Sequence, residues 1–155
     1  MDRGTELRKE SKPTKLVGKI NERFSTILAT CYDFPPKDSF LLDSASSIHV
    51  SHDRLRFSNF RRPPPGHYAL CGSGTVAIHG YGEVDVVVTN QRGRKRILRL
   101  HKVAYCPEFP TNIVSLQLLE DRGIDWKHRE GEMTFGGDAE AFGNTRRIHG
   151  QYEVL

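Results

Sequence analysis

Three short stretches of this 155-residue chain hold residue types that could do chemistry together. The first is Phe40-Leu41-Leu42-Asp43-Ser44-Ala45-Ser46-Ser47-Ile48-His49, an apolar run that stops at one acid followed by small hydroxyl residues. A buried strand that carries a carboxylate into a tight turn is written this way, and so is an ordinary turn or helix cap. The second is Gly80-Tyr81-Gly82, and the third is Asn112-Ile113-Val114-Ser115 ahead of a short helical segment. The chemistry open to an acid held at a strand end is general acid–base work. Such work by carboxylates is done best by a pair whose environments push their titrations apart. Only one Asp-Ser-x element here, at Asp43, follows an apolar run, so a second copy of the chain would have to bring the other acid across an isologous interface.

The elements that must position these residues are short strands. Residues 39–42 read as a strand entering the Asp43 turn, and Ile48-His49-Val50 as a second short strand or the end of that turn. Residues 54–60 alternate polar and apolar until Pro63-Pro64-Pro65-Gly66 ends them. Tyr68–Cys71 and residues 75–79 are further strand candidates, bounded by Gly72-Ser73-Gly74 and Gly80-Tyr81-Gly82. The clearest element is a hairpin: Val84, Val86 and Val88 alternate with Glu83, Asp85 and Val87, and Leu98 and Leu100 with Arg99 and His101. Gln91-Arg92-Gly93-Arg94 makes its turn. Residues 111–114 read as a short buried strand, with Ser115 capping a helix over residues 116–122 and Gly123 after its end. Leu116 and Leu119 would share the buried face of that helix. Ile124–Lys127, residues 133–135 and residues 152–155 are the last strand candidates, and Trp126, alternating with Ile124, is most simply core. Many short strands and one short helix predict an all-β domain, a small barrel or sandwich.

Composition sets the frame. The length suits one domain with a modest core. Hydrophobic residues make up 37% of the chain, a share low enough that part of it should pack poorly. Residues 1–36 are polar and read as a flexible N-terminal segment. They include an apolar stretch over residues 20–32 of no clean period and end at Pro35-Pro36, so the domain should occupy residues 37–155. Net charge is +4 and the pI about 9.1, which permits contact with nucleic acid without demanding it. Cys31, Cys71 and Cys106 are widely spaced and odd in number, so neither a disulfide framework nor a thiolate zinc site is expected. Reduced thiols, and the absence of an apolar stretch suited to a signal peptide or membrane span, lead to an expectation of a soluble, intracellular, cytoplasmic protein with no membrane contact.

Taken in order, the three stretches resemble the aspartic protease domain of copia-type retrotransposon Pol polyproteins, a relative of the retroviral proteases. That family carries an apolar-Asp-Ser-Gly-Ala-(Ser/Thr)-x-His motif, to which Leu42-Asp43-Ser44-Ala45-Ser46-Ser47-Ile48-His49 is similar. Its flap, a Gly-apolar-Gly set between strands, resembles Ile78-His79-Gly80-Tyr81-Gly82-Glu83-Val84. Its late segment, Val-Pro-x-x-x-x-Asn-Leu-Ile-Ser-Val-x-x-Leu, is similar to residues 106–119, and Gly150-Gln151-Tyr152 echoes a terminal Gly-x-Tyr-x-Leu pattern. The resemblance covers residues 38–155. It implies a small closed β-barrel of retropepsin type and a homodimeric endopeptidase that cuts its own Pol-type polyprotein. Asp43 would be the catalytic carboxylate and Ser44 the brace of the paired loops. Ala45, Gly80, Tyr81 and Gly82 would meet the substrate, with a hairpin tipped by Gly80 and Gly82 folding over the peptide. No cofactor or metal is implied. Ala45 stands where the family has glycine, and alanine is costly there only at positive φ, by about 1–2 kcal/mol. Its methyl would also narrow the cleft, so the alternative is a catalytically degenerate barrel kept as a binding or dimerisation module, or a transposon remnant.

Two rival chemistries rest on other residues. His49, His79 and His101 with Cys71 or Cys106 have no recognised metal-ligand spacing, and His49 is more simply a hydrogen-bond partner for backbone. Arg92, Arg94, Lys95, Arg96, Arg99 and Lys102 form a basic run that would suit nucleic acid. The same run is also what a solvated hairpin turn with one charged strand face looks like, and it discourages edge-to-edge aggregation.

Overall fold

The computed structural model of the protein describes residues 37–71, 74–148 and 150–155. The expected N-terminal segment, its apolar stretch, Cys31 and the turn residues Gly72 and Ser73 lie outside the described residues. Twelve strands, one 3-10 turn and one short α-helix make up the described chain. Strand β1 (Phe40–Asp43), β2 (Val50–Ser51), the 3-10 turn Arg54–Arg56, β3 (Phe57–Arg61), β4 (Tyr68–Cys71), β5 (Gly74–Ala77), β6 (Gly80–Thr89) and β7 (Lys95–Tyr105) come first. Then follow β8 (Asn112–Ser115), α1 (Leu116–Glu120), β9 (Ile124–Lys127), β10 (Glu132–Phe135), β11 (Gly143–Ile148) and β12 (Gln151–Val154).

Ten strands form one mixed sheet in the order β3-β6-β7-β2-β8-β1-β12-β11-β10-β9, and β4 and β5 form a separate hairpin. The centre of the sheet is β1, parallel to β8 on one side and antiparallel to β12 on the other. Alternation decides the burial of the long hairpin. Val84, Val86 and Val88 of β6 and Leu98 and Leu100 of β7 point inward, while Asp85, Val87, Ile97 and Arg99 face out. Those inward residues share one core with Ile124, Met133 and Val154 from the far end of the sheet. The sheet therefore curls onto itself, and the Thr89 N–H donates to the Leu155 carbonyl at 2.6 Å where its two halves meet.

This is an all-β domain with one short helix, as the sequence predicts. The closed barrel is not realised as a hydrogen-bonded ring, because β3 and β9 end the strand order and do not pair with each other. Three local readings also differ. Residues 54–56 form a 3-10 turn because the Asp53 carboxylate accepts from the Leu55 N–H at 2.9 Å and caps it. The helix stops at Glu120, before Arg122, and Gly123 takes φ +75°. Strand β11 was not expected from its sequence, since Gly143 and Arg146-Arg147 hide the alternation. Gly143 is there because a Cβ would meet Met133 and the Val88 Cβ, the latter at 3.0 Å.

A candidate acid site at the end of the central strand

Asp43 is the last residue of β1, directly opposite Ser115 in the parallel register with β8. Burial holds the strand: Phe40, Leu41 and Leu42 are buried and Asp43 is half-buried. Beyond it the chain turns at once, with the Ala45 N–H donating to Asp43 Oδ1 at 2.8 Å. Among the described residues only Asn59 and Lys102 are non-glycine residues at positive φ, so Ala45 sits in this turn without backbone strain.

The loop is tied down from below. Ser46 Oγ donates to the Ile48 carbonyl at 2.7 Å. Ser115 Oγ donates to the Ser46 carbonyl at 2.6 Å and accepts from the Leu118 N–H at 3.3 Å, so one hydroxyl both caps α1 and anchors the acid's loop. His49 is 1% exposed, and its Nδ1 accepts from the Ser115 N–H at 3.0 Å. A ring nitrogen that accepts carries no proton, which agrees with the direction of its titration. Burial first, then the charge of Arg122 and of His101, lowers the His49 pKa to about 4. His49 is thus a structural hydrogen-bonding partner for backbone.

Asp43 opens onto a groove of about 540 Å³. Asp43 and Ala45 stand on one side, and the β4 residues Tyr68, Leu70 and Cys71, with Tyr81, Phe109 and Ile113, complete its walls. Among the described residues Asp43 is the only carboxylate lining it. Of the residues singled out from the sequence, the groove brings together Asp43, Ala45 and Tyr81. Ser44 lies beside it, exposed, and lines a smaller hollow of about 170 Å³ that also borders on Asp43.

Gly80 and Gly82 do not line the groove, and they tip no hairpin. They open the long strand β6 and are buried, each because another chain segment lies against its Cα. A Cβ at Gly80 would enter the Phe60 ring, and one at Gly82 would stand 2.7 Å from the Ser58 carbonyl oxygen. The hairpin that faces Asp43 is β4–β5. Sequence reasoning missed Tyr68, Leu70, Phe109 and Ile113 as groove residues. The signal for the first two was present: Tyr68 and Leu70 flank the small Ala69, so the bulky face of β4 is its exposed one, with Leu70 81% exposed. Tyr81 is held at the groove by its hydroxyl, 3.1 Å from His67 Nδ1, and burial raises its pKa.

Half of the basic run is paired with carboxylates. Arg99 makes two hydrogen bonds to Asp85, at 2.7 and 2.8 Å, and Arg94 approaches Glu140 at 3.2 Å. His101 pairs with Glu83 at 2.9 Å, and Arg92 lies 3.8 Å from Glu140. The bonds from His101 and Asn59 hold the Glu83 carboxyl below its ordinary range, and Arg99 does the same for Asp85. Lys95, Arg96 and Lys102 have no carboxylate partner among the described residues.

An acid delivered by a central strand into the mouth of a groove, in a curled sheet of mixed pairing, defines a class of domain. Residues 40–124 match the family described as "Pol polyprotein, beta-barrel domain", and the chain belongs to that family of retrotransposon Pol domains. It is also 28% identical over 92 residues to "Putative transposon Ty5-1 protein YCL075W" of Saccharomyces cerevisiae. That match takes in 59% of this chain and 53% of the relative, so the chain spans about half of that protein's length. No solved structure matches the chain. Among the described residues no helix is long and apolar enough to cross a membrane.

Proposed function

We propose that this domain is one half of an aspartic endopeptidase of the copia-type, retropepsin-like class, acting as a homodimer on a Pol-type polyprotein. The observation that carries the reading is Asp43 as the one carboxylate among the described residues that lines the groove, held at a strand end opposite a separate hairpin. One acid cannot both activate water and protonate a carbonyl, so the second comes from Asp43 of the other copy. With the two carboxyl groups about 3 Å apart, the pair keeps one proton. The ionised member takes a proton from water as it attacks the scissile carbonyl, and the protonated member gives its proton to the carbonyl oxygen. Collapse of the tetrahedral intermediate then returns a proton to the leaving amine.

In this scheme the Ala45 N–H keeps Asp43 oriented, Ser44 braces the paired loops, and Tyr81 with the β4 side chains meets the peptide. Gly80 and Gly82 serve by letting β6 run close beneath Phe57 and Phe60. The β4–β5 hairpin, outside the main sheet, closes over the bound peptide and excludes water. Nucleic acid has no part in this reading. A second reading is a degenerate barrel that binds peptide without cutting it, favoured by the Ala45 methyl at the groove beside the acid.

Cleavage of a library of apolar-centred peptides at mildly acidic pH tests both. The wild type cleaves and Asp43→Asn, which removes both carboxylates of the dimer's pair, loses at least about a thousandfold in kcat/KM. Cleavage that survives Asp43→Asn removes the assignment. Cleavage by Ala45→Gly but not by the wild type selects the degenerate form.

A further inference from the structure

The connection from β3 to β4 carries a feature that the acid site leaves unused. It runs Arg61-Arg62-Pro63-Pro64-Pro65-Gly66, and all of these residues are exposed except the half-buried Pro63. Its conformation follows from its residue types. Arg62, Pro63 and Pro64 each precede a proline, which disfavours the helical region and holds them extended. The proline rings fix φ at about −65°, so residues 62–64 form about one turn of left-handed polyproline II helix. Gly66, at φ +81°, then turns the chain toward β4. Arg61 pairs with Tyr81 at the end of β3, so the stiff segment is anchored to the sheet where it begins. Stiffness alone would serve a loop, but this one also presents bare binding groups. Among the described residues, the carbonyls of Arg62 and Pro63 accept no hydrogen bond, and Arg54, Arg61 and Arg62 have no carboxylate partner. The Arg54 guanidinium lies over the Phe60 ring, 3.7 Å from its centre, which gathers these cations beside the prolines.

We propose that this loop is a docking ligand for a protein domain whose groove is walled by Trp and Tyr rings and rimmed by carboxylates. Adjacent prolines present a ridge that fits between two aromatic rings, and an indole N–H of the groove donates to a free carbonyl of the ridge. The rim carboxylates pair with Arg61 and Arg62 through charge-assisted hydrogen bonds. The bound conformation is already fixed in the free chain, so docking orders little backbone. A nucleic acid would use the cations but has no need of a ridge of proline rings, so the loop favours a protein partner. The proposal is independent of the endopeptidase reading, since it uses no residue of the acid's loop.

Titration of the full chain into a panel of isolated WW domains with acidic groove rims, followed by NMR of the labelled domain, tests it. At least one domain binds saturably with a Kd below about 1 mM, and the shifted signals are those of its groove aromatics. Pro64→Ala removes one ring of the ridge and frees the backbone before it, which weakens binding roughly tenfold. Arg61→Glu with Arg62→Glu weakens it by more than about tenfold at low salt and by less at about 0.5 M salt. Lys95→Glu, which changes an exposed cation on β7, leaves the Kd as it was. All these positions are exposed, so the variants keep the fold and read the contact. No saturable binding by any domain up to about 1 mM, or binding indifferent to Pro64→Ala, overturns the proposal. So does the opposite pattern, in which no domain binds but a single-stranded RNA oligonucleotide does. That binding would be salt-dependent, lost in the arginine variant and kept in Pro64→Ala, and it would make the loop a nucleic-acid contact.

Discussion

Protonating one buried histidine should loosen the acid's loop. His49 is 1% exposed and accepts the Ser115 N–H, and its pKa in the fold is about 4 against 6.5 for an ordinary histidine. The folded pKa is depressed, so between those values the unfolded chain binds the proton and the folded chain does not. Stability tied to His49 is therefore complete above pH 6.5 and is lost as pH falls toward 4. The difference in proton affinity corresponds to roughly 3 kcal/mol, a large part of the 5–15 kcal/mol typical of a domain. Urea unfolding at steps of pH, comparing the wild type with His49→Gln, reads this directly. Glutamine keeps a hydrogen-bond acceptor but does not titrate, so the difference between the two proteins isolates His49 from the five other histidines described. The wild type should lose about 3 kcal/mol more than the variant between pH 6.5 and 4. Equal slopes in the two proteins, or a His49 ring that titrates near 6.5 by NMR, would refute the reasoning.

Two substitutions test the backbone arguments. Ala45 is not at positive φ, so Ala45→Gly gains nothing from relieved strain and should lower stability by about 0.5–1 kcal/mol in urea unfolding. A gain in stability would mean that the turn is strained after all. Gly82→Ala places a methyl 2.7 Å from the Ser58 carbonyl and should cost about 1–3 kcal/mol as an overpacked contact between β3 and β6. A variant as stable as the wild type would show that β3 is free to move aside.

Much of this architecture was legible because alternation is a strong signal where one face is buried. The β6–β7 hairpin, β4, β8 and the Ser115 cap follow from period and from turn residues, and the structure has them at the predicted places. What was not legible depends on contacts far apart in sequence. Gly80 and Gly82 look like the tip of a hairpin because glycine marks turns, but here glycine marks close approach by β3, which a local pattern does not reveal. Strand β11 escaped notice because its partners, rather than its own side chains, make it a strand. The closure of the sheet is likewise a long-range property. Asp43 was singled out by three short motifs taken in order, whereas the identity of the hairpin facing it had to come from the fold.

Strand β1 has a consequence for when this domain can exist at all. Phe40 to Asp43 pair with Asn112 to Ser115 on one side, and Leu41 and Leu42 pair with Glu153 and Tyr152 on the other. A ribosome has therefore made more than 100 further residues before the strand that bears the acid can be flanked on both sides. Such pairing is slow to form and leaves apolar edges bare in the meantime. Its reward is timing: Asp43 gains its rigid setting only when residues 151–154 have joined the sheet, so the site is absent from any nascent chain shorter than that.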